Sequence, residues 1–339
     1  MDKTELAPAT GAAAAAVGER ATCAPVVDVI ATARLHLGFL DLNGGLGRRF
    51  GSIGLAIDAP LLRLGLRRSH QAIVEGPEQA RAAAWLAALE RRLQLPGPHE
   101  LRIHEAIPPH AGLGSGTQLA LALGAALRRL YRLEADPQAD AALLGRGTRS
   151  GIGIALFCTG GLVVDGGHGT PDGLPPVLAR LEMPDAWRIV LVLDRHGEGL
   201  SGAAERAAFA ALPPMHETMA AAICRAVLMQ ALPAVAEDDV AAFGVAIRSV
   251  QAMLGEYFAP AQGGAFTSRR VGTALAALAE AGAVGIGQSS WGPTGFAFLP
   301  NAAEAARVVA AVKASGRLEG VEIRVCRALN HGVQARVSA

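Results

Sequence analysis

The sequence predicts a two-domain protein that mixes α and β structure, and three observations carry this. The chain has 339 residues and is 51% hydrophobic, ample for more than one buried core. Stretches rich in β-branched residues are interspersed with Ala- and Leu-rich stretches at helical spacing. Glycine-rich loops recur where strands hand over to helices. No repeat of fixed period is visible. Lys and Arg total 31 against 30 acidic residues, and 4% of the chain is aromatic, so no nucleic-acid partner or anionic membrane surface is expected. Four scattered cysteines, Cys23, Cys158, Cys224 and Cys326, form no CxxC pair and predict free thiols in a reducing cytoplasm.

In chain order, residues 1 to about 24 read as a mobile tail. An Ala run there, broken up by Asp2, Glu5, Pro8 and Gly11, lacks the basic start and apolar segment of a signal peptide. No stretch reaches the length of an uninterrupted transmembrane helix. VVDVIATARLHLGFL (26–40) is β-branched and partly alternating, as a strand is. DLNGGLGRRFGSIGLAID follows, either a plain hairpin with a basic tip or a loop whose backbone approaches an anion. A helix is predicted over 77–95, with Trp85, Leu86, Leu89 and Leu93 at helical spacing and Pro96, Gly97 and Pro98 as its stop. ELRIHEAIP alternates as a strand.

RSGIGIALFCTGG (149–161) reads as a strand, and GGLVVDGGHG as another, ending in a turn that presents Asp165 and His168. WRIVLVLD (187–194) is a buried strand by its continuous apolar run, and the loop after it leads to a helix start marked by Ser201, Gly202 and Glu205. Ala-rich helices are predicted at about 215–232, 237–255 and 268–282. GAVGIGQSSWGPTGFAFLP is two strands around a polar loop containing Trp291. A helix near 302–315 and a strand near 321–328 close the chain in an α+β manner.

PPHAGLGSGTQLALALGAALRRLY is the most informative stretch. A strand ends at Pro108-Pro109, a glycine loop follows, and Ser115 or Thr117 is expected to cap a helix. The N–H groups of such a loop and the helix dipole together make an anion site. No Lys follows the last glycine, and the spacing is not G-x-G-x-x-G, so neither a Walker loop nor a dinucleotide fingerprint is present. A tight turn without ligand is the competing reading. His110, Gly112, Gly114, Ser115, Gly116 and Thr117 are the candidate binding residues.

Three glycine-rich elements in this order resemble the GHMP small-molecule kinase superfamily. They are the N-terminal strand and loop, PPHAGLGSGT beside that family's P-x-x-x-G-L-G-S-S phosphate loop, and GIGQSSWGPTG at the place of its C-terminal glycine loop. The resemblance implies a two-domain α+β fold with the site between the domains. One domain, over 25–183, would be similar to the second domain of ribosomal protein S5; the other, over 184–339, would be ferredoxin-like. Many of these kinases carry P-S-G-x-D, six residues, then Gly-Gly, with the Asp as catalytic carboxylate. Here Ser150, Gly151 and Ile152 are in register with Gly160-Gly161, and Gly153 stands at the Asp position.

ARLHLGFLDLNG, GRRFGSIGLAID, SGIGIALFCTGGLVVDGGH, GLSG, QGGAF and GQSSWGPTGFAF are similar to a non-kinase branch, the β-ribofuranosylaminobenzene 5′-phosphate synthases of tetrahydromethanopterin biosynthesis. That resemblance implies a cytoplasmic, homodimeric pentosyltransferase. It would join C1 of phosphoribosyl diphosphate to 4-aminobenzoate or 4-hydroxybenzoate, releasing CO2 and pyrophosphate, with Mg2+ and without ATP. Such chemistry needs a pyrophosphate clamp, stabilisation of positive sugar charge and a ring carbon held against C1.

By that resemblance Gly112, Gly114, Ser115, Gly116 and Thr117 would hold the diphosphate, with Mg2+ bridging its oxygens. Arg34, Arg48, Arg49 and Arg149 are candidates for the carboxylate and the 5′-phosphate, Arg34 and Arg149 foremost, and a structural role competes for each. His36 would orient the para substituent, or be a satisfied core histidine. Asp165 would hold metal or stabilise the sugar cation, or cap a turn; Ser150 and His168 accompany it as substrate-binding candidates. Glu205 is a metal ligand or a favourable first-turn charge. Ser201, Gln288, Ser289 and Ser290 offer polar groups, and Trp291 a ring face for the benzoate. A true kinase using Asp165, and a noncatalytic sensor on the same scaffold, are the alternatives.

Overall fold

The computed structural model describes residues 25–169, 174–194, 196–197, 199–200 and 202–338. The expected N-terminal tail lies outside the described residues. β1 (Val26–Asp41) and β2 (Phe50–Arg68) form a long antiparallel pair at the centre of the first sheet. β1 alternates between buried and half-buried residues up to Ile30 and is buried almost throughout from Ala31. Alternation fades where both faces of a strand are covered. β3 (Ile73–Glu75), β4 (His99–Glu105), β5 (Leu162–Asp165), β6 (Val177–Leu181) and β11 (Gln334–Ser338) complete the sheet. β2 is long enough to pair with β4 near one end and with β5 near the other. α1 (Gln79–Leu93), α3 (Pro137–Leu143) and α4 (Ile152–Thr159) gather around α2 (Ser115–Leu130), which packs on β1 and β2.

The second sheet is antiparallel, in the order β10 (Val321–Cys326), β7 (Arg188–Asp194), β9 (Gly295–Leu299), β8 (Val284–Gln288). The apolar run of β7 divides by face. Val190 and Val192 join residues of α9 (Arg269–Glu280) and α10 (Ala302–Ala314). Ile189 and Leu191 share a core with Phe243 and Ile247 of α8 (Val240–Gln262). α8 also packs on β1, so this core is continuous with Leu35 and Leu37 of the first sheet. α5 (Gly202–Ala211), α6 (Glu217–Ala226) and α7 (Leu232–Ala236) lie between β7 and α8 in the chain.

The α+β architecture is the expected one, and four local readings change. The stretch 149–161 is not a strand: Ile152–Thr159 is α4, ended by Gly160 at φ +62°. Its unbroken apolar run fits a buried helix as well as a buried strand, and Ile152, Ile154, Leu156 and Phe157 are buried. The helix expected at 215–232 runs through a π-helical turn, Val227–Ala231, into α7. Pro233 cannot donate an N–H there, and the widened turn accommodates it. With its 20 residues and a mean hydropathy of 1.7, Glu217–Ala236 does reach membrane-crossing length, contrary to expectation. Ala220, Ile223, Val227, Ala231 and Val235 are buried in the core, where the helix meets α8 and β1. Finally, β11 returns to pair with β1, so the division expected at residue 184 is crossed by the end of the chain. A short polar-flanked strand such as β11, or β3, carries too few residues to show a period.

Candidate active site

A cavity of about 580 Å³ opens where the two sheets' loops meet. That is within the range of about 300–1,000 Å³ usual for small-molecule sites. The phosphate-loop candidate forms one wall, as Gly112, Gly114, Ser115, Gly116 and Thr117 all line it. Neither Ser115 nor Thr117 caps α2: the cap is Gly114, at φ +82°, with no side-chain hydrogen bond. An uncapped helix start leaves its first N–H groups for an anion.

The opposite wall comes from the loop between β8 and β9, and hydrogen bonds lock the two together. Ser289 Oγ donates to the Gly112 carbonyl at 2.7 Å and accepts the His36 N–H at 3.0 Å. The Ser290 N–H donates to the His36 carbonyl at 3.2 Å. A Cβ on Gly112 would stand 2.3 Å from the Ser289 carbonyl oxygen, and Gly112 has φ +76°, so only glycine allows this approach. Ser289 is therefore fully buried and structural, not a ligand group at the cleft surface. Gln288 likewise holds loops, accepting the Thr267 N–H at 2.8 Å. Ser290, Trp291 and His110 do line the cavity, the His110 carbonyl accepting the Gly199 N–H.

Arg34, Arg81, Arg146, Arg149 and Arg206 line the cleft, and Glu205 is the one carboxylate among the described lining residues. Arg34 donates to the Gly112 carbonyl at 2.8 Å, while its Nε has no partner among the described residues. Burial lowers its pKa to about 10 and Glu205 draws it back up, so it stays charged. Arg149 is not a free anion receptor, because it pairs with Glu205 at 2.5 Å. Glu205 therefore answers an arginine instead of holding a metal. Burial pushes its pKa up, and Arg149 and Arg34 oppose the rise. The Trp291 indole N–H lies near this carboxylate but completes no hydrogen bond.

Several sequence candidates stand away from the cleft. Asp165 is fully buried, and its carboxylate accepts the N–H groups of Gly151 at 3.0 Å and Gly167 at 2.9 Å and the Ser150 hydroxyl at 3.2 Å. It organises the turns beneath the site, and it is buried away from the cavity lining. Ser150 lines the cavity with its hydroxyl turned to Asp165. Arg48 donates to the Gly166 and Gly167 carbonyls, each at 2.8 Å, and Arg49 lies over Phe50. His168 holds the Gly147 carbonyl at 3.1 Å. Ser201 lies outside the described residues. No group of three or more His, Cys, Asp or Glu side chains that could hold a metal occurs among the described residues. The expected pair, Asp165 and Glu205, does not fit a resident Mg2+.

His36 is 3% exposed, and its Nε2 has no partner among the described residues. Together with Phe39, Phe258 and Trp291 it lines an alcove of about 30 Å³ beside the cleft. That is room for a hydroxyl or amino group, not for a ring. Burial, the Arg34 charge and, more weakly, Arg149 hold the imidazole pKa down at about 3. An unfolded histidine protonates near 6.5, so the unfolded chain binds a proton that the native state refuses. Stability should fall as pH drops from about 6.5 towards 3. Thermal melts of His36→Gln should lose less Tm than the parent between about pH 7 and 4. Parallel curves would contradict a neutral buried His36.

Gly153 lies in the first turn of α4, and a Cβ there would stand 3.2 Å from Thr117 Cγ2. The position where the resembling kinases keep a carboxylate thus faces the phosphate loop, empty of chemistry. Sequence reasoning missed Arg81, Trp85, Arg146 and Arg206. The first two sit one helical turn apart on α1, where Trp85 had a place in an apolar pattern that absorbed it.

The fold and the cleft define the class. The family model for the GHMP kinases N terminal domain matches residues 80–161, and that for the GHMP kinases C terminal region matches 231–318. Homoserine kinase from Cytophaga hutchinsonii has the same fold with a TM-score of 0.66 at 18% identity, over 92% of this chain and 97% of that one. L. major mevalonate kinase, in complex with R-mevalonate, gives 0.66 at 16%, over 88% and 95%. The chain is 36% identical over 230 residues to a β-ribofuranosylphenol 5′-phosphate synthase of Archaeoglobus fulgidus, covering 64% of this chain and 73% of the relative. A synthase of that name from Methanothermobacter thermautotrophicus is 31% identical over 282 residues, covering 77% and 84%. This chain belongs to the β-ribofuranosylphenol 5′-phosphate synthase family.

Proposed function

We propose that this chain is a decarboxylating phosphoribosyltransferase. It joins C1 of phosphoribosyl diphosphate to the carboxyl-bearing ring carbon of 4-hydroxybenzoate or 4-aminobenzoate, releasing CO2 and pyrophosphate. The observation that carries this is the charge of the cleft. Five arginines line the cavity that holds an uncapped helix start, Arg34 and Arg146 beside that start, and the lining carboxylate, Glu205, is held by Arg149. Such a cleft suits a polyanion and, among the described residues, offers no unpaired carboxylate to a substrate hydroxyl. The relatives' names supply the product class.

The diphosphate lies on Gly112–Thr117 beside Arg34. The C1–oxygen bond breaks and its electron pair leaves with pyrophosphate, so positive charge grows on the sugar. The ring carbon para to the hydroxyl or amino group forms the new bond to C1. The carboxylate then departs as CO2, and the pair from its carbon–carbon bond restores the aromatic ring. No proton leaves a carbon, so the step needs positioning and charge stabilisation, not a base. His36, neutral, accepts a hydrogen bond from the para hydroxyl or amino group in the alcove. That bond pushes electron density towards the attacking carbon. Mg2+ brought with the diphosphate would neutralise part of its charge and would take no ligand from Asp165 or Glu205. No ATP takes part.

The setting we propose is the cytoplasm, tetrahydromethanopterin biosynthesis and a homodimer. The family resemblance supports all three, and the free thiols of Cys158, Cys224 and Cys326 support the first. Pyrophosphate release should require phosphoribosyl diphosphate, Mg2+ and a benzoate together. Release of ADP from ATP with a small alcohol, and no pyrophosphate, would instead make the chain a kinase.

A further inference from the structure

Across the phosphate loop from Arg34 stands a second cation that the chemistry above leaves unassigned. Arg146 Cζ lies 5.4 Å from the Trp85 ring centroid, and Arg81 Cζ lies 5.7 Å from the same centroid. Arg81 is paired with Glu78 at 2.7 Å. Arg146 donates its Nε–H to the Leu144 carbonyl at 3.1 Å, and among the described residues no carboxylate lies within ion-pair distance of it. Burial, Arg81 and Arg149 press its pKa down, and Glu205 opposes them as the weakest of the four influences. A partly desolvated guanidinium beside two others is unfavourable to the folded protein unless an anion joins it. It is the kind of group a ligand-binding site retains.

Its placement is specific. A Cβ on Gly116 would stand 3.2 Å from Arg146 Nη1 and 3.8 Å from Trp85 Cη2. A Cβ on Gly114 would stand 3.0 Å from Arg34 Nε. The two unpaired arginines therefore grip successive parts of one helix start. Arg34 sits on β1 two residues before His36, which lines the aromatic alcove. Neither Arg146 nor Trp85 lines that alcove.

We propose that Arg146, stacked on Trp85 and reinforced by Arg81, binds the 5′-phosphate of the donor. This rests on the donor being phosphoribosyl diphosphate. The assignment orients the whole substrate. The 5′-phosphate takes the planar guanidinium fork at the Trp85 end, and the diphosphate lies on the loop towards Arg34. C1 then faces the alcove where the acceptor's para group is held. Stacking on Trp85 fixes the plane of the fork before the phosphate arrives, which lowers the ordering cost of binding.

Calorimetry of the full chain with phosphoribosyl diphosphate and with pyrophosphate separates the two phosphate seats. Arg146→Gln should weaken phosphoribosyl diphosphate about 30-fold or more and leave pyrophosphate affinity within about 2-fold. Trp85→Leu keeps the arginine and should give the same selective loss at smaller size, which covers the case of a poorly folded Arg146 variant. Equal losses for both ligands would place Arg146 in the diphosphate seat and overturn the proposal, as would unchanged affinity for phosphoribosyl diphosphate. If the parent chain binds neither ligand, the donor assignment itself fails, and this placement with it.

Discussion

Arg34→Gln should lower kcat/KM by about 10²–10³-fold while the protein melts at the parent's temperature or higher. Arg34 is half-buried in the cleft wall, keeps its charge, and has an Nε without a partner among the described residues. In the free protein that charge is a burden on stability. In the reaction it faces a leaving group that gains negative charge as the C1–oxygen bond breaks, where a preorganised cation contributes most. Glutamine is too short to reach the Gly112 carbonyl, which Arg34 holds at 2.8 Å, but that carbonyl keeps the Ser289 hydroxyl as a donor at 2.7 Å. Steady-state kinetics and a thermal melt on the same sample check both halves. Activity and Tm falling together would make Arg34 a structural residue.

Gly153→Asp should fold normally and weaken donor binding about 100-fold. An acidic residue in the first turn of α4 suits the helix dipole, so the fold has no reason to object. Its Cβ would arrive 3.2 Å from Thr117 Cγ2, a contact that a few tenths of an ångström of movement relieves. Its carboxylate would then meet the diphosphate on the same loop, and like charges at close range repel strongly. Donor titration by calorimetry reads this directly. Parent-like affinity would mean that residue 153 does not face the donor.

Much of the fold was legible because its signals are local. β1 announced itself by β-branched residues, and α2 by a glycine loop followed by leucines at helical spacing. α4 was misread because a run without alternation describes burial, not conformation. The site was legible as loops but not as side-chain roles. Nothing in the order of residues tells that Arg149 is neutralised by Glu205, 56 positions away, or that Asp165 serves three donors from the turns around it. The same holds for Arg146, whose importance comes from what it lacks. A missing partner can be seen only when all neighbours are in place. Gly153 is the exception, a position whose meaning came from register alone and whose place beside Thr117 agrees with it.

Decarboxylative transfer of a phosphoribosyl group is the central claim, and carboxyl-labelled 4-hydroxybenzoate tests it most directly. Incubated with the protein, phosphoribosyl diphosphate and Mg2+, it should yield labelled CO2 and pyrophosphate in equal amounts, with an unlabelled ribosyl phenol phosphate as product. Label retained in a product, as in a ribosyl ester of the benzoate, would contradict the account.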